Sequence, residues 1–135
     1  MALRYLLDTN IIIYVRRRRP PEVLAHFDRL KPGDAGLSVI TYGELLYGLE
    51  KSLSPADGLG QLEELAAVVP ILPLPKEAAR TYGAIRAALE VNGEMIGHND
   101  LWIAAHALAA ELTLVTNNER EFRRVRGLKL ENWAR

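Results

Sequence analysis

At 135 residues the chain is the size of one domain, long enough to bury a core without disulfides or a structural metal. A hydrophobic fraction of 49% and a charged fraction of 25% are ordinary for a soluble globular protein, and the lack of cysteine excludes disulfides and thiolate metal sites. Basic and acidic side chains cancel at 17 each, so a polyanion would have to be held by a local patch. No amino-terminal segment reads as a signal peptide and no apolar run approaches the roughly 18 residues that span a bilayer, which makes a cytoplasmic protein without membrane contact the expectation.

Taken in order, Tyr5, Leu6 and Leu7 form a short apolar run that Asp8, Thr9 and Asn10 break before a second run from Ile11 to Val15. This predicts a buried strand opening into a helix, with Asp8 just beyond the strand's carboxyl end, where open parallel sheets place their ligand sites. The same three polar residues also suit a helix cap. The first helix runs into Arg16, Arg17, Arg18 and Arg19 and stops at Pro20 and Pro21. Four adjacent guanidinium groups repel one another, which predicts a solvated stretch, and their forked donors suit phosphate contacts near the mouth of a site. A second helix is predicted over Glu22–Leu30, ended by the turn cluster Lys31–Asp34.

Ala35–Ile40 reads as a second strand, and Thr41 as the cap of a third helix with Glu44 three residues on, in capping-box position. Glu44 would equally point across the crevice that Asp8 faces. Gly43 and Gly48 cost a helix roughly 1 kcal/mol each relative to alanine, which suggests close approach by backbone or ligand. A polar turn over Ser52–Asp57 precedes a fourth helix over Gly58–Val69. Three prolines between Pro70 and Pro75 restrict that stretch to a short or edge strand. Lys76–Val91 is the longest helical pattern, capped by Asn92 and Gly93.

The stretch from Met95 to Ala107 holds Asp100 at the start of an alanine-rich helix that Asn99 would cap, a way to seat an acid against the sheet with little slack. His98 and His106 are poor candidates for ligands, the first as a loop residue and the second about one and a half turns below Asp100. Leu112–Thr116 is a buried strand ending in the cluster Asn117–Glu121. Leu128–Leu130 is a last strand, with Trp133 as terminal anchor. Strands alternating with helices predict an α/β domain over residues 1–135, with a mostly parallel central sheet flanked by helices. Asp8, Glu44, Asp100 and the Asn117–Glu121 cluster then arrive at one sheet edge from four elements. Three converging carboxylates repel unless a cation compensates them, and all-oxygen donors favour Mg²⁺ or Mn²⁺. Phosphodiester hydrolysis is the natural chemistry of such a site.

Four blocks, LLDTN at 6–10, ITYGEL at 40–45, IGHNDLWIAAHA at 96–107 and LVTNNEREF at 114–122, together with the closing GLKLENW, resemble the motifs of PIN-domain nucleases, specifically VapC-like toxins of type II toxin–antitoxin pairs. The resemblance implies a three-layer α/β/α fold and Mg²⁺- or Mn²⁺-dependent endoribonuclease activity, with tRNA the favoured substrate. It also implies a homodimer and inhibition by a VapB-type antitoxin lying near helices one and three. By the match, Asp8, Glu44 and Asp100 carry over as metal-binding catalytic acids, with Thr9 and Thr116 as supporting hydroxyls. The fourth block departs from many relatives in having Asn118 where they have an acid. A neutral oxygen there would leave the free enzyme with one weakly held ion, and Glu119 or Glu121 is the alternative fourth acid. A catalytically inactive RNA- or protein-binding module is the second reading. A phosphatase using Asp8 as nucleophile is disfavoured, because Asn10 stands where a second Asp is needed.

Overall fold

Short apolar runs between polar breaks become the strands of one sheet. The protein is described by a computed structural model covering residues 3–135. The strands are β1 (Tyr5–Leu7), β2 (Ala35–Ser38), β3 (Ile71–Leu72), β4 (Thr113–Val115) and β5 (Leu130–Glu131). The helices are α1 (Thr9–Arg17), α2 (Pro21–Asp28), α3 (Val39–Glu50), α4 (Pro55–Ala66), α5 (Glu77–Asn92), α6 (His98–Ala109) and α7 (Glu119–Phe122). Sheet order is β3-β2-β1-β4-β5, and each neighbouring pair is parallel. The expected mostly parallel sheet is therefore parallel throughout its five described strands, with the proline-flanked β3 at an edge as its missing donors require.

Successive strand residues point to opposite faces, and the core divides accordingly. Leu7 and Val115 join Ile11, Ile12 and Val15 of α1, Val23 of α2, Leu45 and Leu49 of α3 and Leu62 of α4 on one face. Leu6 and Leu114 join Leu89 of α5, Leu101, Ile103 and Ala104 of α6, and Phe122 of α7 on the other. These are the three layers. Trp133 anchors the end of the chain as expected: it is buried, stacks on His26 at 5.3 Å, meets Tyr5 edge-on at 5.4 Å, and donates its Nε1–H to Glu131 Oε1 at 2.9 Å.

Several boundaries differ from those read off the sequence, each for a local reason. α3 begins at Val39, because the Ser38 hydroxyl accepts the Ile40 N–H at 3.1 Å and so ends β2 two residues early; Thr41 is buried in the first turn and is not the cap. α4 starts three residues ahead of Gly58, with Pro55 at its first position, where a missing N–H costs nothing. The close approach expected at Gly43 and Gly48 is absent within the chain, since a Cβ at either would meet nothing within 4 Å. It occurs at Gly58, where an added Cβ would meet the end of the Leu49 side chain and force that side chain to shift.

Candidate active site

Asp8 sits where β1 ends and α1 begins. Its Oδ1 accepts the Thr9 N–H at 2.8 Å and so caps α1, while its Oδ2 accepts the Thr116 hydroxyl at 2.8 Å from the end of β4. β1 and β4 are the neighbours between which the connections diverge, β2 and β3 to one side and β5 to the other, so the carboxylate spans the sheet's switch point. Asp8 is only 4% exposed. Burial raises its pKa most, the bonds from Thr116 and Thr9 pull it back, and the charge of Glu44 pushes it up again; the net direction is upward.

Glu44 reaches the same place from the second turn of α3. Thr9 Oγ1 donates to its Oε1 at 2.6 Å, and Asn99 Nδ2 to its Oε2 at 3.4 Å. Neither the capping-box role of Glu44 nor the capping role of Asn99 is observed. α6 begins two residues earlier than expected, at His98, with Gly97 as its cap, which frees the Asn99 amide to turn toward Glu44. His98 is thus in the first turn of a helix and not in a loop.

Asp100, third in α6, has its pKa pushed up to about 7. Burial is the main cause, followed by the charge of Asp8, a hydrogen bond with Glu121, and the charges of Glu121 and Glu44. Glu121 is held from behind by Asn118, whose Nδ2 donates to Glu121 Oε2 at 2.8 Å. The Asn118 N–H in turn donates to the Thr116 hydroxyl at 2.9 Å. The fourth acid coupled to the site is therefore Glu121, one turn of α7 beyond Asn118, and Asn118 orients it. Glu119 faces the other way: it accepts from Asn132 at 2.9 Å and pairs with Arg123 and Arg135, contacts that hold its pKa low, the Asn132 bond foremost. Asn99 and Asn132 are contributors the sequence did not reveal, since an amide alone announces no partner.

An open cleft of about 330 Å³ bounded by Glu44, Gly97, His98, Asn99 and Asp100 gives access to the acids. Among the described residues the ion pairs are Arg86–Glu90, Arg123–Glu119 and Arg135–Glu119, so no basic side chain neutralises Asp8, Glu44, Asp100 or Glu121. An uncompensated set of carboxylate and hydroxyl oxygens suits a hard divalent cation. Among the described residues, no three carboxylate or imidazole side chains already converge as ligands around one point; the acids are held on Thr9, Thr116, Asn99 and Asn118 instead. His106 is buried, its pKa is lowered by that burial, and its Nδ1 lacks a partner, in keeping with a core residue away from the acids.

The PIN domain family model matches residues 5–128. A protein of Haemophilus influenzae named Ribonuclease VapC2 is 46% identical over 132 residues, covering 98% of this chain and 99% of its own length. A tRNA(fMet)-specific endonuclease VapC of Shigella flexneri is 40% identical with the same coverage. Among solved structures, VapBC2 from Rickettsia felis bound to a DNA fragment from its promoter matches with a TM-score of 0.90 at 36% identity, over 97% of this chain and 99% of the other. The chain is a PIN-domain protein of the VapC family.

In this PIN domain the four arginines divide by position. Arg16 and Arg17 lie in the last turn of α1, Arg18 ends the helix in the left-handed region at φ 59°, and Arg17, Arg18 and Arg19 are exposed. Arg16 and Arg17 line a cavity of about 270 Å³ between α1 and α3 that also touches Thr9, Glu44 and Gly48. Arg16 is half-buried there; its Nη2 meets Gln61 Oε1 at 3.4 Å, and its Nε has no partner. No helix among the described residues is long and apolar enough to cross a membrane.

Proposed function

We propose that this chain is a divalent-cation-dependent endoribonuclease, the toxin of a toxin–antitoxin pair acting in the cytoplasm, that hydrolyses RNA with tRNA as the favoured substrate. The observation that carries the reading is the group of four acids, Asp8, Glu44, Asp100 and Glu121, gathered at the carboxyl ends of the strands without a basic partner. The names of the full-length relatives point the same way.

Asp8, Glu44 and Asp100 would hold Mg²⁺ or Mn²⁺, with Glu121 beside them. When bound, such a cation supplies positive charge against the phosphoryl oxygens and makes an attacking water more acidic. The chain's own part is positioning. Thr116 and the Thr9 N–H fix both oxygens of Asp8, the Thr9 hydroxyl ties Glu44 to the same turn, and Asp100, its pKa raised to about 7, faces Glu121. Arg16 and Arg17 border the site where a phosphate of the substrate would pass, and Arg18 and Arg19 extend that charge outward.

The cavity between α1 and α3 is the groove for a VapB-type antitoxin. A homodimer would cover apolar side chains that a monomer leaves in water, among them Tyr47, 64% exposed on α3, and Val91, 85% exposed on α5. Light scattering that found only monomer at micromolar concentration would refute the dimer.

The test is cleavage of tRNA with Mg²⁺, with Mn²⁺ and with chelator. Asp8→Asn, Glu44→Ala and Asp100→Ala should each lower kcat/KM by at least about a hundredfold, a loss near 3 kcal/mol of transition-state stabilisation. Circular dichroism should show each variant folded. An active, folded Asp100→Ala protein would sink the proposal, and a wild type that binds RNA without cutting it would establish the binding-module reading.

A further inference from the structure

We infer that a second basic groove, on the Asp100 side of the site, holds the sugar–phosphate backbone of the RNA beyond the cut; the inference rests on the ribonuclease reading above. The groove has a volume of about 670 Å³. One wall is the carboxyl-terminal half of α5 with Ile85, Asn92 and Glu94, and the other is the segment after α7 with Arg123, Arg124 and Arg126. Each wall is continuous in sequence with a residue of the active site. The first leads through Gly97 to Asp100, and the second begins two residues past Glu121.

Charge makes the groove a polyanion site. The lining carries three arginines, Arg123, Arg124 and Arg126, against one acid, and they belong to a segment, Arg120–Lys129, with five basic residues and the single acid Glu121. For a chain with no net charge this is a strong local concentration. Arg124 fixes the wall by donating to the Met95 carbonyl at 3.0 Å. Arg123 is shared with Glu119 at 3.2 Å and keeps other donors free. Arg126 is exposed and makes no hydrogen bond or ion pair among the described residues. Glu94 is the opposing charge in the lining. Ile85 and its alanine neighbours give the groove an apolar floor, so riboses have a surface to lie on while phosphates meet the arginines.

The placement also resolves a difficulty of the site itself. Four acids repel an approaching phosphate chain, so the backbone must be held on both sides of them. Arg16–Arg19 provide one flank, after α1, and Arg123–Arg126 provide the other, after α7.

The experiment measures tRNA cleavage as a function of salt for the wild type, Arg126→Gln, the pair Arg123→Gln with Arg126→Gln, and Arg29→Gln as a control. Arg29 is exposed at the far end of the sheet, where β2 begins, and its loss changes net charge by the same unit as Arg126→Gln. For the pair, KM should rise about tenfold near physiological salt with kcat unchanged, and the slope of log KM against log salt should fall by about 1.5. Arg126→Gln alone should show about half that change of slope, and it breaks no contact within the fold. Wild-type KM and slope in the pair, or effects no larger than those of Arg29→Gln, would overturn the inference. So would unaltered RNA kinetics with weakened antitoxin binding, which would assign the groove to an acidic protein segment. A wild type inert toward RNA would be a failure of the proposed function and not of the groove.

Discussion

Asp100→Asn should make the cation-free protein more stable while abolishing its activity. In the folded chain the Asp100 carboxyl titrates at about 7, against 3.8 for the unperturbed group. Below pH 4 the folded and unfolded chains both carry the proton, and its stabilising effect is fully present. Between pH 4 and 7 only the folded chain keeps it, so stability falls with rising pH and the contribution is gone above 7. A shift of about three pH units corresponds to about 4 kcal/mol at face value, which partial exposure of the side chain reduces to about 1–2 kcal/mol. The amide introduced at position 100 keeps a donor for Glu121 and removes a charge that Asp8 and Glu44 oppose. In chelator at pH 8 the variant should melt about 3–8 °C above the wild type, and at pH 4 the two should coincide. Adding Mg²⁺ at about a hundred times its Kd should raise the wild type by about 2.7 kcal/mol and reverse the order. Differential scanning calorimetry across this pH range is the measurement. An equal melting difference at pH 4 and pH 8, or none at pH 8, would refute the reasoning.

Thr116→Val should cost about 1–3 kcal/mol in chemical denaturation, because it strips the hydroxyl from buried Asp8 and from the Asn118 N–H together; it should also lower cleavage at neutral pH, since Asp8 loses a bond that favours its charge. Asn118→Asp should tighten Mn²⁺ binding in calorimetric titration by adding a carboxylate beside Glu121, and should destabilise the cation-free protein for the same reason. Unchanged Mn²⁺ affinity would show that position 118 acts only from behind Glu121.

The strands and the position of Asp8 were legible because they depend on local signals. A parallel strand buried on both faces is a bare apolar run, as at Leu6–Leu7 and Leu114–Val115, and an acid directly after such a run stands at the carboxyl edge by geometry alone. Caps were less legible. Ser38 and Thr41 both satisfy local rules at the start of α3, as Asn99 and Gly97 do for α6, and the choice falls to tertiary partners that no window of sequence contains. Asn99 has no capping role because α6 starts at His98, and its amide meets Glu44 across the cleft instead. The fourth acid illustrates the same limit. Asn118 occupies the expected place in the motif, but α7 turns the residue three positions later toward Asp100, and only the helix phase distinguishes Glu121 from Glu119. The basic groove had a readable signal, five cations among ten residues, but its meaning depends on α5 forming the opposite wall.

Two carboxylates of one chemical type acquire different roles at this site through what surrounds them. Asp8 is the more buried, yet the Thr116 hydroxyl and the Thr9 N–H both donate to it, and each bond favours the ionised form. Its charge is in turn among the causes that raise Asp100. Asp100 has acids around it, and its bond with Glu121 raises its pKa further. Asp8 is held by the backbone of α1 and by the end of β4, so its own position is set by these two bonds. The fold thus gives Asp8 two donors at the sheet's switch point and sets Asp100 among acids beside it. Cation affinity should therefore rise with pH through about 7, with proton release on binding as its signature in calorimetry run in buffers of different ionisation enthalpy. Binding that released no protons at pH 6.5 would mean that the proton of Asp100 is not what the cation displaces.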